Sequence, residues 1–368
     1  MVRRVLFAGL VLGPLVVLLH YVADLDETVE FVVAAIALIP LAWLIGEATE
    51  HAAEHTGPGI GGFLNATFGN APELIIALLA VHRGLTDVVR GSLTGSVVGN
   101  LLLVLGFSLL FGPRGELDRR SSFMSFGLIG TAVVLFLIPA IPSWNGDPDR
   151  SAIADLTVPI SIFLLVVYVI TTFVSLRRHR GLHEPVEEAA HSTWTLRRSL
   201  AVLGAATVVT ALVAEVLVGS LETFAEKAGL SDFFVSAVIV AIVGNAAEHG
   251  GAVVVAWRGK VKLAAEIALA SAAQVAVFLI PAVALLSWLI EPLALGFRQV
   301  EILALAGSLA VAALTLSAGK ASKARGVVLV AAYVVVVILF YAAGDRDGSN
   351  ESTSHAVAAL GSASPQPL

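Results

Sequence analysis

Eleven apolar stretches, near residues 5–22, 30–48, 59–82, 88–111, 122–142, 153–176, 198–219, 233–257, 262–290, 299–317 and 325–343, occupy most of this chain. A bilayer core asks for about 20 apolar residues per helical crossing. Within hydrocarbon only helices and closed barrels satisfy their own backbone. The pattern predicts an all-α polytopic membrane protein with about eleven transmembrane helices. With 57% hydrophobic and only 14% charged residues, the chain leaves no room for a soluble catalytic domain.

Loop charge supplies an orientation. If the N-terminus is cytoplasmic, all 22 Lys and Arg residues fall on the cytoplasmic side except Arg83, Arg90, Arg150, Lys227, Arg298 and Arg346. Cytoplasmic loops carry such an excess, and a missed or added helix would scramble it. The N-terminus is therefore expected inside and the C-terminus outside, in the plasma membrane if the protein is bacterial. The first helix, preceded by Arg3 and Arg4, is read as retained and not as a cleaved leader, because the charge balance counts it. A net charge of −6 gives no sign of a nucleic-acid partner, and the lack of cysteine removes disulfides and thiolate metal sites. The expected partner is the lipid bilayer.

Gly69-Asn70-Ala71-Pro72-Glu73 returns 175 residues later as Gly244-Asn245-Ala246-Ala247-Glu248. Extended without gaps, the comparison sets Ala77 on Ala252, Arg83 on Arg258, Gly84 on Gly259 and Ser96 on Ser271. The first copy lies in the third crossing and the second in the eighth. That odd separation means opposite entry into the membrane, the mark of inverted repeats. The organisation read from this is an N-terminal transmembrane helix over 1–28, a first five-helix repeat over 29–180 and a short acidic cytoplasmic linker over 181–197. A second five-helix repeat follows over 198–343, then a disordered tail over 344–368.

A carboxylate inside a membrane is costly and is a functional-site hypothesis by default. Asn70 and Glu73 share one helix face, as do Asn245 and Glu248. An amide oxygen and a carboxylate are hard donors of the kind Ca²⁺ takes in flexible shells of six to eight, and two acids would balance a divalent charge. Pro72 frees a backbone carbonyl nearby. Ser92, Ser96 and Asn100 in the first half, and Ser271 and Gln274 in the second, add uncharged oxygens on the following helices. Each can also be an ordinary packing residue. Glu215, within the seventh apolar stretch, is expected to need a partner on burial. Glu50, Glu54 and Gly57 recur at the same spacing as Glu222, Glu226 and Gly229, either as mirrored vestibules that concentrate cations or as solvated helix ends.

The run Asn65-Ala66-Thr67-Phe68-Gly69-Asn70-Ala71-Pro72-Glu73-Leu74-Ile75-Ile76-Ala77, with Gly244-Asn245-Ala246-Ala247-Glu248-His249, resembles the paired signatures of Ca²⁺/H⁺ antiporters in the cation/Ca²⁺ exchanger superfamily. Gly95-Ser96 with Gly99-Asn100, and Ser271 with Gln274, resemble the companion motifs. The resemblance implies an antiporter, not an enzyme, with Ca²⁺ and H⁺ as transported substrates and no cofactor. It assigns Glu73 and Glu248 as central acids, helped by Asn70 and Asn245, with Asn100, Gln274 and His249 beside them. The chain departs from the pattern in its short acidic linker, in Gly250-Gly251 where alanines are usual, and in Ala270-Ser271 for a Gly-Ser pair. Export of Ca²⁺ against protons is the expected activity, with a Na⁺/Ca²⁺ or Mn²⁺/H⁺ exchanger as the alternatives. His51-Ala52-Ala53-Glu54-His55 also fits the H-x-x-E-H pattern of a zinc protease group, but a five-residue pattern needs a catalytic domain around it.

Overall fold

The structure, a computed structural model, describes residues 2–23, 25–180 and 194–346. The acidic residues of the expected linker, Glu184, Glu187 and Glu188, and most of the expected tail lie outside the described residues. In chain order the helices are α1 (Val2–Gly9), α2 (Leu12–Val22), α3 (Glu27–Phe68), α4 (Ala71–His82), α5 (Thr86–Val98), α6 (Leu105–Phe111), α7 (Arg119–Ser143), α8 (Ser151–Arg180) and α9 (Leu196–Gly219). The second half contains α10 (Leu221–Ala228), α11 (Asp232–Phe234), α12 (Ala241–Gly244), α13 (Ala246–Trp257), α14 (Val261–Gln274), α15 (Ile280–Leu286), α16 (Gln299–Leu316) and α17 (Lys323–Ala343). Wider π turns over Gly99–Val104, Val235–Val240 and Val275–Leu279 join α5 to α6, α11 to α12 and α14 to α15. Polar residues at the water boundary start several helices. Asp26 accepts from Thr28 N, Asp118 from Ser121 N, Ser231 from Phe234 N and Ser322 from Arg325 N, which satisfies donors that a helix start leaves free.

Nine helices among the described residues are long and apolar enough to cross a bilayer, against the eleven expected. The two remaining expected crossings, 59–82 and 233–257, are each broken at an asparagine. Residues up to Phe68 give way at Gly69-Asn70 to α4, and Asp232–Gly244 gives way at Asn245 to α13. Each of α4 and α13 has 12 residues, about 18 Å of helix, which is half a crossing. The amphipathic α10 is bent by 112° from the helical run Asp232–Gly244 that follows it.

Within α3 the chain also folds back. A Cβ placed on Gly61 would lie 2.7 Å from the Ala53 carbonyl oxygen, although eight residues of straight helix span about 12 Å. The reversal between residues 56 and 61 separates the second expected crossing from the third.

Contacts between loops respect the expected sides. Lys227 Nζ reaches Asp26 Oδ2 at 2.5 Å, and Arg90 reaches Asp149. On the other face β1 (Gly115–Glu116) pairs antiparallel with β2 (Lys320–Ala321), and His55 Nε2 meets the Trp194 carbonyl at 2.7 Å. The hydrogen bond from Lys227, helped by Thr28, holds the Asp26 carboxyl down to about 2. The depressed value means the pair is intact across the physiological range and is lost only as pH falls towards 2.

The cysteine-free chain lets this pairing be tested directly. Cysteines replacing Asp26 and Lys227 should be joined by a short bifunctional thiol cross-linker that replaces the reach of the lysine, whereas cysteines replacing Asp26 and Lys320 should not. Cross-linking of the second pair, or failure of the first, would contradict the arrangement of loops.

Candidate ion site between the broken helices

Asn70 and Asn245 leave helical geometry in the same way, with φ/ψ of −102°/16° and −90°/4°. Each still accepts the first bond of the half-helix that follows. Leu74 N donates to Asn70 O at 3.0 Å and His249 N to Asn245 O at 2.9 Å. Glu73 and Glu248 therefore sit in the first turns of α4 and α13. Unpaired N–H groups and the positive end of the helix dipole favour an acid there.

The two halves cross at these acids. A Cβ on Gly244 would stand 3.3 Å from Glu73 Cγ, and one on Gly69 would stand 3.4 Å from Glu248 Oε1. Each carboxylate thus packs against the signature glycine of the opposite repeat, where any side chain would press on it.

Polar residues of the neighbouring helices complete the site unevenly. Ser271 Oγ donates to Glu248 Oε2 through a short bond. Its mirror, Ser96, instead accepts from Asn245 Nδ2 at 2.8 Å and donates to Ser92 O at 2.9 Å. Asn100 donates through Nδ2 to Ser96 O at 3.0 Å and reaches Asn245 Oδ1 at 3.5 Å. Buried and without hydrogen-bond partners are Glu73 Oε2, Asn100 Oδ1 and His249 Nε2. His249 Cε1 lies near Gly99, where a Cβ would be 3.8 Å away. Asn100 falls within the first π turn and Gln274 immediately precedes the third. Such turns widen a helix and recur at functional positions.

A cavity of about 720 Å³ leads from one face to this point, lined by Glu47, Glu50, Glu54, Asn65, Gly69, Gly244, Ala247 and Glu248. Glu248 is half-buried on its wall, while Glu73 is buried behind Gly244. Among the described residues no three His, Cys, Asp or Glu side chains gather as a metal site. A cation here would be held by two acids with amide, hydroxyl and carbonyl oxygens.

Other expected residues divide. Glu50 and Glu54 line the cavity, but Glu222 and Glu226 are exposed on α10, away from it. Glu215 is not buried; it points off the exposed side of α9, between buried Ala214 and Val216. Among the described residues the H-x-x-E-H set does not gather as a metal site: His51 lies beside Glu54 and Glu47, but His55 is bound to the Trp194 carbonyl. Arg90 and Glu301, each 1% exposed, escaped the sequence reading. Both are charges at the edge of an apolar stretch, and that signal was available.

Comparison with known proteins places these features in a family. The model of the sodium/calcium exchanger protein family matches residues 27–177 and 198–342. A Ca²⁺/H⁺ antiporter of Aphanothece halophytica is 34% identical, over 92% of this chain and 97% of its own. The Ca²⁺/H⁺ antiporter ChaA of Bacillus subtilis (strain 168) is 37% identical over 91% and 97%. The structure of native YfkE superposes with a TM-score of 0.78 at 34% identity, covering 93% of this chain and 99% of that one. An H⁺/Ca²⁺ exchanger, CAX, shares the fold at a TM-score of 0.72 and 17% identity, over 92% and 91%.

Packing around the site is tight enough to measure. A Cβ on Gly95 would fall 1.9 Å from the Ala237 carbonyl oxygen, whereas Gly204 has nothing within 4 Å. Gly95→Ala should destabilise the protein by about 1–3 kcal/mol or more, seen as a lower melting temperature in detergent, and Gly204→Ala should not. Equal melting of the two variants would refute the close contact between α5 and the second broken crossing.

Proposed function

This chain belongs to the sodium/calcium exchanger protein family, and on that premise we propose that it is a secondary antiporter exporting Ca²⁺ from the cytoplasm in exchange for H⁺. The observation that carries the reading is the crossing of Glu73 and Glu248 at two inverted, broken helices, each acid against the other repeat's glycine. The names of its relatives, Ca²⁺/H⁺ antiporters at 34–37% identity over nearly the whole chain, support the pairing of these two ions.

In the proposed mechanism the carboxylates of Glu73 and Glu248 hold either one divalent cation or protons. Competition for the same oxygens couples the two fluxes, because a loaded carboxylate cannot be both protonated and ligating. Asn70, Asn245, Asn100, Ser96, Ser271 and Gln274 supply or position neutral oxygens, and the half-helix ends add carbonyls. The loop-charge bias supports a cavity that opens to the cytoplasm, an inward-facing arrangement. Glu50 and Glu54 attract the cation into the cavity. His249 adjoins the site without sharing the face of Glu248, since successive helical residues diverge by about 100°. It serves as a proton relay, a role suited to an imidazole.

Ca²⁺ uptake into inverted vesicles, driven separately by a proton gradient and by a Na⁺ gradient, tests the exchange. Proton-driven uptake is expected, and uptake driven only by Na⁺ would replace the reading. Glu73→Gln and Glu248→Gln should each lower flux by about a hundredfold or more, matching the roughly 3 kcal/mol of an unbalanced intramembrane charge. Wild-type flux from either purified variant would remove that residue from the site.

The relay needs its own measurement. His249→Asn should leave Ca²⁺ affinity intact while slowing proton-driven flux and changing the shape of its pH profile. Weaker Ca²⁺ binding at every pH would make it a ligand. A uniform fall in flux with an unchanged profile would make it a packing residue.

A further inference from the structure

On the face opposite the cavity, Arg90 is the largest fully buried side chain among the described residues. Its Nη1 donates to Asp149 Oδ1 at 2.6 Å and to the Ala294 carbonyl at 3.1 Å, and its Nη2 donates to Asp87 Oδ1 at 2.7 Å. These partners come from α5 itself, from the turn before α8 and from the extended segment 291–298 before α16. Arg346, beyond α17, joins the same group by donating to the Gly296 carbonyl at 2.8 Å.

Segment 291–298 has no helix or sheet of its own, yet Leu293, Ala294, Leu295 and Phe297 are buried. Irregular backbone at such depth persists only where other groups satisfy it. Here side chains do so. Leu295 N donates to Thr157 Oγ1 at 3.0 Å, and Trp144 Nε1 donates to the Phe297 carbonyl at 3.0 Å. Arg90 and Arg346 take the carbonyls between them. The segment is thus strapped across the closed face by contacts that can all be undone without unfolding a helix.

The repeats differ at this point. By the 175-residue correspondence, Ala265 stands where Arg90 stands and Lys262 where Asp87 stands. On the cavity side the equivalent tie is an exposed pair, Lys262 with Asp118 at 3.5 Å. Exposed pairs hold little, whereas removing one partner of a buried, fully bonded pair is costly. Of these two charged ties, the one on the open face is exposed and the one on the closed face is buried.

We infer that the Arg90–Asp149–Ala294 cluster is a latch that keeps the face opposite the cavity closed, and that its release is a step of opening to that side. The inference rests on the alternating-access reading above, but not on which ions are carried. Arg90 is a positioning residue: it lies six residues before Ser96 on α5, about 9 Å along the helix, and acts by fixing that helix to the strap. A weaker latch lowers the fraction of protein in the cavity-open state, which raises the apparent dissociation constant for cavity-side cation in proportion.

Single cysteines report the two faces without background. Ser236 is fully buried on the closed side, beside Gly91 of α5, and Ala53 lines the cavity. In Asp149→Asn, a membrane-impermeant thiol reagent applied opposite the cavity should label a cysteine at Ser236 about tenfold faster or more. Labelling at Ala53 from the cavity side should fall together with it, as a two-state shift requires. The apparent KM for cavity-side Ca²⁺ should rise while maximal Ca²⁺ binding is unchanged. Asp149 is 34% exposed and its loss leaves Arg90 paired with Asp87, so this variant keeps the buried charge balanced. Arg90→Lys, which retains the charge but not the fork, should shift labelling in the same direction. Unchanged labelling at both cysteines in the two variants would overturn the latch. Faster labelling at both cysteines at once would also overturn it, as loosening without a change of state. Absence of Ca²⁺ flux in the unmodified protein would instead remove the transport reading, since labelling needs no cargo.

Discussion

Two carboxylates buried where water is excluded have to be balanced by something, and the architecture of this protein follows from that requirement. An isolated acid in a continuous apolar helix has neither donors nor counter-charge. Breaking each helix at an asparagine places Glu73 and Glu248 on the N-terminal turns of half-helices, where unpaired N–H groups and the helix dipole both face an acid.

Bringing the two breaks together requires small residues at fixed places. Gly69 and Gly244 let each acid lie against the opposite repeat, and Gly95 lets α5 approach the Ala237 carbonyl more closely than any Cβ allows. In a membrane such contacts provide association that the hydrophobic effect does not, because lipid is as apolar as the helix surface. The same closeness brings Ser96 and Asn100 to Asn245, and Ser271 to Glu248, so helix packing and the polar contacts around the two acids rest on the same residues.

Much of this was legible in the sequence. Apolar length and loop charge read as a polytopic helical membrane protein, and a motif repeated 175 residues apart in oppositely directed crossings pointed to the acids. The breaks at Asn70 and Asn245 were not legible as breaks, because a run of apolar residues reads as one span whether or not its helix is interrupted. That difference accounts for nine long helices among the described residues where eleven crossings were expected. Glu215 misled for a related reason: position within an apolar stretch gives depth along the chain but not the face of the helix. Arg90 entered only the count of loop charges and Glu301 was not singled out, because burial of both depends on partners more than fifty residues away in the chain.

Inverted repeats make the two faces of a transporter equivalent in backbone, so any preference for one state has to come from side chains that break the symmetry. Two such differences stand in this molecule. At the site, Ser271 bonds Glu248 while its mirror Ser96 bonds Asn245 and leaves Glu73 without a hydroxyl partner. At the closed face, Arg90 binds two acids and a buried strap where its mirror is Ala265. Glu248 is the acid on the cavity wall and Arg90 belongs to the opposite face, so both differences act in the same direction. The acid nearer the open side has the hydroxyl partner, and the side that is shut has the buried ion pairs. A chain with identical repeats would hold its two states at equal free energy; here the departures from identity set which face is open when the site is empty.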